Sequence, residues 1–133
     1  MAMQQPYQAY KQNSVNTASP AELTLMLYNG CLRFIKLAKL GIEANDIEQR
    51  HTNLLKAQNI VQELMVTLDM NVEISKNLLQ MYDYLYHRLI EANTKNSVEI
   101  LDEVEGFVLE FRDTWKEVMK LAKKPQMAES GQV

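Results

Sequence analysis

A chain of 133 residues with 47% hydrophobic and 23% charged residues has the composition of one ordinary soluble globular domain, which excludes a mainly disordered protein. Only 4 glycines and 3 prolines are present, which argues against an all-β fold built on many tight turns. The net charge of −3 argues against wholesale nucleic-acid binding. The single cysteine, Cys31, cannot form an internal disulfide, and this favours a reducing compartment.

The sequence shows no targeting or membrane-spanning pattern. Residues 1–19 are rich in Gln, Asn and Ser and lack the apolar stretch of a signal peptide. The longest apolar region, residues 23–42, is interrupted by Arg33, Lys36 and Lys39. We therefore expect a cytoplasmic protein without membrane insertion.

The first predicted helix begins at a capping box. Ser19 supplies the capping hydroxyl, Pro20 occupies the first helical position and Glu22 occupies the third. We expect this helix to run to about Leu40, because Gly41 can provide a left-handed stop.

The second helix is expected to begin at a cap on Asn45 or Asp46 and to end at about Leu68. A turn at residues 69–71 should follow, and then a third helix to about Asn93. Apolar residues recur at helical spacing along both segments. In the third helix these residues are Ile74, Leu78, Met81, Leu85, Leu89 and Ala92.

A fourth helix should begin at a cap on Asn96 or Ser97 and stop at Pro125. Its apolar face includes Phe111, which we expect to be a buried core residue.

Four helices joined by short connections predict an all-α fold, an antiparallel four-helix bundle. The bundle should occupy residues 19–124. An N-terminal arm of residues 1–18 should precede it, and a flexible C-terminal tail of residues 125–133 should follow it.

No catalytic constellation is present in the sequence. Glu48 and His51 form one E-x-x-H, the spacing of di-iron bundles, but such sites need two copies and Tyr84 stands three residues before His87. Cys31 lies in an apolar stretch without a nearby histidine and is better explained as a buried structural thiol. We therefore expect no enzyme, no cofactor and no metal site, with a di-iron redox bundle as an alternative.

The first helix carries more apolar surface than a bundle helix needs. Its polar side chains form one narrow strip, and two apolar stripes cover roughly two-thirds of the circumference. Either the core is simply wide, or the surplus is covered by the arm, a second copy or a partner helix. The surplus stripe consists of Leu25, Tyr28, Leu32, Ile35 and Ile42, and Tyr82 and Tyr86 flank the main stripe of the third helix.

An ordered set of short matches resembles the flagellar secretion chaperone FliS family over about residues 7–120. The opening signature matches at Tyr10, Val15, Thr17 to Pro20, Leu23 and Met26 to Gly30. The second signature matches at Asn77, Leu78, Tyr82 to Tyr84, Arg88, Leu89, Ala92 and Asn93, and Val104 to Gly106 and Trp115 also fit.

The resemblance implies a cytoplasmic export chaperone for flagellin. Such a protein binds the disordered C-terminal segment of flagellin, prevents premature polymerisation and delivers it to a flagellar type III export gate protein. A structural homodimeric bundle without a client is the alternative, and a client-free chaperone could also be a homodimer. Two of the expected flagellin contacts, Tyr10 and Tyr28, match family signature positions. The others follow from the position of the arm and the helical wheel: Val15, Leu25, Leu32, Ile35, Tyr82 and Tyr86.

Overall fold

The computed structural model describes residues 19–132 of the chain, and their side chains as far as residue 122. Within that range the elements are α1 (Pro20–Glu43), α2 (Ile47–Val66), α3 (Ile74–Lys95) and α4 (Val98–Gln132). Each helix packs against the next one in sequence, and α1 also packs against α4, which closes the ring. The predicted all-α four-helix bundle is confirmed for the described residues. The predicted arm at residues 1–18 lies outside them, and the division into arm, bundle and tail remains a prediction.

The start of α1 is as predicted, but its end is not. The Ser19 hydroxyl accepts from the Glu22 backbone N–H at 3.1 Å, and the Glu22 carboxylate accepts from the Ser19 backbone N–H at 3.3 Å. The expected stop at Gly41 is wrong, because the helix continues to Glu43 and Asn45 takes the left-handed conformation, with φ 56°. Gly41 is buried, and a Cβ atom there would lie 2.7 Å from the backbone nitrogen of Arg50. This glycine therefore permits close approach of α2.

The two alternatives left open for capping are resolved by side-chain hydrogen bonds. Asp46 caps α2, since its carboxylate accepts from a backbone N–H in the first turn at 3.0 Å. Ser97 caps α4 in the same way at 3.2 Å. Asn96 instead ends α3 in the left-handed conformation, with φ 55°.

The fourth helix does not stop at Pro125, and that prediction is wrong. It continues to Gln132. A proline within a helix forfeits one backbone hydrogen bond and can kink the helix, but it need not end it. The ends of α2 and α3, Val66 and Lys95, differ from the expected Leu68 and Asn93 by the usual margin of helix ends.

All four helices contribute to one core, which contains a buried pair of tyrosines. The hydroxyl oxygens of Tyr28 and Tyr82 lie 2.6 Å apart. The Phe111 ring lies against both tyrosine rings, with centroid distances of 6.1 and 5.8 Å. The other fully buried large side chains are Ile35, Leu54, Ile60, Val61, Leu64, Leu85, Leu89, Leu101, Val104 and Val108.

Much of the predicted surplus stripe of α1 belongs to this core. Tyr28 and Ile35 are only 3% and 0% exposed, so the expectation that these two side chains lie at an open surface is wrong. Leu32 is 6% exposed; it packs in the core and also borders the space between α1 and α4. The reason is that α1 packs against both α2 and α4 and also meets Tyr82 of α3 through the core. A helix with neighbours on several sides needs a wide apolar circumference. Phe111, expected to be buried, is only partly so.

Candidate binding groove

A groove of about 620 Å³ runs between α1 and α4. Its apolar lining consists of Leu32 and Leu37 from α1 and Leu109 from α4. The polar side chains that line it are Asn29, Arg33, Lys36, Glu105 and Arg112.

Helical spacing explains why these residues share one groove. Asn29, Leu32 and Lys36 follow each other at intervals of three and four on α1, so they lie along one side of that helix. Glu105 and Leu109 are four residues apart on α4, and Arg112 comes three residues later. Two continuous walls therefore result from two antiparallel helices.

The groove carries more positive than negative charge. Arg33 and Lys36 are exposed and make no ion pair with any other described residue. Arg112 pairs with the adjacent Asp113 at 3.1 Å. The one carboxylate in the lining, Glu105, is already bound by Lys39 at 2.7 Å. The uncompensated cations on the α1 wall therefore favour an anionic or acidic ligand.

Specific contacts join α1 to α4 on either side of the groove. The Lys39 ammonium lies 2.5 Å from the Asp102 carboxylate and also binds Glu105. Partial burial opposes the charge of Lys39, but these two carboxylates outweigh it and hold the pKa above its ordinary value. Towards the start of α1, the Trp115 indole N–H donates to the Ala21 carbonyl oxygen at 2.9 Å. The groove is thus fixed near both ends and open between them.

The sequence-predicted contacts are distributed over three environments. Leu32 lines the groove, and the half-buried Leu25 lies two turns earlier on the same face of α1. Tyr86 is also half-buried, but on α3. Three others lie in the core, namely Tyr28, Ile35 and Tyr82, and the structure brings Tyr28 and Tyr82 together there. Tyr10 and Val15 lie outside the described residues. Client contact by all eight remains a prediction.

Sequence reasoning missed most of the groove lining. Arg33 and Lys36 belong to the narrow polar strip of the first helix, which was not predicted to bind anything, and they form part of one wall of the groove. Glu105, Leu109 and Arg112 occupy neighbouring turns, which a helical wheel of α4 would have shown. The wheel gives the shared face of each helix but does not show that these two faces oppose each other.

The side chains that could serve metal or catalytic chemistry are paired, exposed or buried in the core. Nδ1 of His51 accepts from the Asn93 side-chain amide at 2.8 Å, and Glu48 is exposed. Burial raises the pKa of the Cys31 thiol to about 12, which keeps it protonated. Within residues 19–122, no three His, Cys, Asp or Glu side chains are grouped so that they could hold a metal ion. In the same part of the chain, no helix is both long and apolar enough to span a bilayer.

Known proteins are similar to this chain over most of its length. The family model described as Flagellar protein FliS matches residues 3–122. The Flagellar secretion chaperone FliS of Bacillus subtilis is 56% identical over 131 residues, which cover 98% of each chain. The protein of the same name from Salmonella typhimurium is 34% identical over 110 residues, 80% of this chain and 82% of the relative. That from Escherichia coli is 36% identical over 117 residues, 83% of this chain and 86% of the relative.

Proposed function

This chain belongs to the FliS family of flagellar secretion chaperones, and we propose that it is a non-enzymatic export chaperone whose client is flagellin. In this proposal it works in the bacterial cytoplasm, where it binds the disordered C-terminal segment of newly made flagellin. It keeps that segment from polymerising and delivers it to a flagellar type III export gate protein.

The observation that carries the proposal is the open groove between α1 and α4. Leu32, Leu37 and Leu109 provide an apolar strip, and the cationic Arg33 and Lys36 stand beside it. An amphipathic helix with its apolar face in such a groove is a standard mode of peptide recognition. The groove therefore suits a segment that becomes helical when bound and that carries acidic residues beside its apolar stripe.

A disordered client explains why an extended binding surface is needed. A segment that folds on binding loses conformational entropy, and a large wrapped interface compensates for this loss. Terminal segments of flagellin that are held on the chaperone cannot at the same time pack against other flagellin molecules. Direct competition for one segment is then sufficient to prevent polymerisation, and the mechanism needs neither nucleotide nor metal.

The residues that we propose for flagellin binding fall into two groups. Leu25, Leu32 and Tyr86 would contact the client, together with Tyr10 and Val15 of the arm. Tyr28, Ile35 and Tyr82 are buried and would shape the bundle surface from beneath. The groove residues Arg33, Lys36, Leu37 and Leu109 are added to the contact group on the strength of the geometry.

Calorimetric titration of the full chain with flagellin from the same bacterium tests the proposal. Full-length flagellin should bind with a negative heat-capacity change, because apolar area leaves water. Flagellin without its C-terminal segment should not bind, and equal affinity for both forms would contradict the mechanism. A chaperone that remains dimeric on dilution and produces no heat with flagellin would support the alternative of a structural homodimer.

Charge reversal tests the position of the client. The double variant Arg33→Glu with Lys36→Glu should weaken flagellin binding by about tenfold or more, since it makes the α1 wall acidic. Lys76→Glu on α3 is the matched control, because Lys76 is exposed and does not line the groove. Equal weakening by the control would place the charge effect outside the groove.

A further inference from the structure

Three glycines lie in the part of the chain whose side chains are described, and close packing explains two of them. A Cβ atom on Gly30 would lie 3.1 Å from Cδ1 of Ile60, and one on Gly41 would lie 2.7 Å from the Arg50 backbone nitrogen. In both places the missing side chain lets α1 and α2 approach. Gly106 differs from these two, because a Cβ atom there would have no described atom within 4 Å apart from its chain neighbours and the backbone of its own helix.

Backbone conformation does not account for Gly106 either. It lies inside α4, is exposed, and none of the described glycines has a positive φ. Glycine in a helix interior is less favourable than any residue except proline. The fold of the described residues thus carries a destabilising residue at a position where alanine would fit without a clash.

Gly106 lies beside the groove. It directly follows Glu105 and stands three residues before Leu109, and both of these line the groove. Asp102 is one turn earlier on the same side of α4 and contacts Lys39 of α1. Because Gly106 has no side chain, it leaves a shallow recess at the outer edge of the α4 wall, where another backbone can approach closely.

We infer that a helix of the bound client crosses α4 at Gly106, with its apolar stripe on Leu32 and Leu109 and its carboxylates facing Arg33 and Lys36. This inference rests on the proposed function and adds to it the point at which the docked helix crosses α4. Glycine allows a second backbone to come close to a helix, and no described atom from elsewhere in the chain lies within 4 Å of the Cβ position at Gly106. The uncompensated cations of the α1 wall make the docked helix an acidic one.

The test uses Gly106→Ala and Gly106→Leu in the full chain. Without client, Gly106→Ala should raise the urea midpoint of unfolding, because alanine favours the helix and meets no clash. Affinity for full-length flagellin should nevertheless fall, slightly for alanine and by about tenfold or more for leucine. Gln62→Leu on α2 is the control for an added surface leucine, since Gln62 is exposed and does not line the groove, and it should bind normally.

The outcomes separate this inference from the proposed function. If the unmodified chain binds flagellin and both Gly106 variants bind it equally well, the inference is wrong and the proposed function stands. If the unmodified chain does not bind flagellin, both are wrong. A lower urea midpoint for Gly106→Ala without client would show that the position accommodates a segment of the chain itself, such as residues 1–18, and would overturn the inference.

Discussion

The two sides of α1 are built differently. Towards α2, Gly30 and Gly41 allow the helices to approach so closely that an added Cβ atom would lie 3.1 or 2.7 Å from α2. Towards α4, a groove of about 620 Å³ lies between contacts at Lys39 and Trp115. The comparison shows how one helix can pack closely against a neighbour on one side and border an open groove on the other.

The largest loss of stability should come from truncating a residue of α1 that is buried in the core. Ile35→Ala is expected to lower the free energy of unfolding by about 2–5 kcal/mol, because Ile35 is 0% exposed and its truncation leaves a cavity. Leu40→Ala on the same helix is the control, since Leu40 is 53% exposed and should cost less than about 0.5 kcal/mol. Urea unfolding followed by circular dichroism measures both. Similar values for the two variants would mean that α1 is not packed as described.

The close packing of α1 against α2 can be tested by substituting its two glycines. Gly41→Ala should lower the free energy of unfolding by about 1–3 kcal/mol, because the new methyl group meets the Arg50 backbone, which cannot move by itself. Gly30→Ala should change it by less than about 1 kcal/mol, since the atom that it meets is the flexible end of Ile60 and alanine favours the helix. If Gly41→Ala is neutral, α1 and α2 do not approach as closely as the structure indicates.

Stability should fall at alkaline pH through Cys31, which α1 buries in the core. Burial raises the pKa of this thiol to about 12 in the folded state, whereas an unfolded thiol has a pKa of about 8.5. The stabilisation is therefore complete below pH of about 8.5 and is lost as the pH rises towards the folded value. Between about pH 8 and 9.5 the loss should be on the order of 1 kcal/mol.

Cys31→Ala is the control for this pH dependence. Urea unfolding under reducing conditions, at matched pH values, should show a shallower alkaline decline for the variant than for the unmodified chain. Identical declines would assign the pH dependence to other groups and would contradict the deep burial of this thiol.

The smallest loss of stability should come from removing the ion pairs that join α1 to α4. Lys39→Gln removes the ion pairs with Asp102 and Glu105 and should lower the free energy of unfolding by less than about 1 kcal/mol. Added salt should reduce the difference, because it screens the pairs at this partly exposed edge. A loss as large as that of Ile35→Ala would show that the edge of the groove, rather than the core, holds α1 against α4.

Local sequence signals were sufficient for the helix starts and for the fold class. The Ser19 capping box formed as expected, and short connections between four amphipathic segments led to the bundle. They failed at the ends of two helices. Gly41 was expected to end a helix, but it lies within one. A glycine stands there because α2 passes so close that a side chain would not fit. Pro125 was expected to end α4, and the helix continues beyond it.

The groove between α1 and α4 could not be predicted from helical wheels in the same way. The wheel showed that α1 has a wide apolar circumference, and it identified Leu32, which lines the groove. The expectation that this circumference exceeds the needs of a bundle helix is wrong for Tyr28 and Ile35, which are in the core. It could not distinguish a stripe covered by three other helices from one left open for a partner. For that reason Tyr28, Ile35 and Tyr82 were expected at the surface and are in the core.

The sequence by itself determined the four helices, the Ser19 cap and the family, since apolar periodicity and a capping box are local and the family signatures are ordered along the chain. The tertiary structure decided which face of each helix meets which neighbour. That outcome depends on side chains from different helices: Gly30 and Gly41 let α2 approach α1 closely, whereas residues of both α1 and α4 line the groove between these two helices. No single segment of the chain contains either arrangement, because each one needs two helices that are distant in sequence.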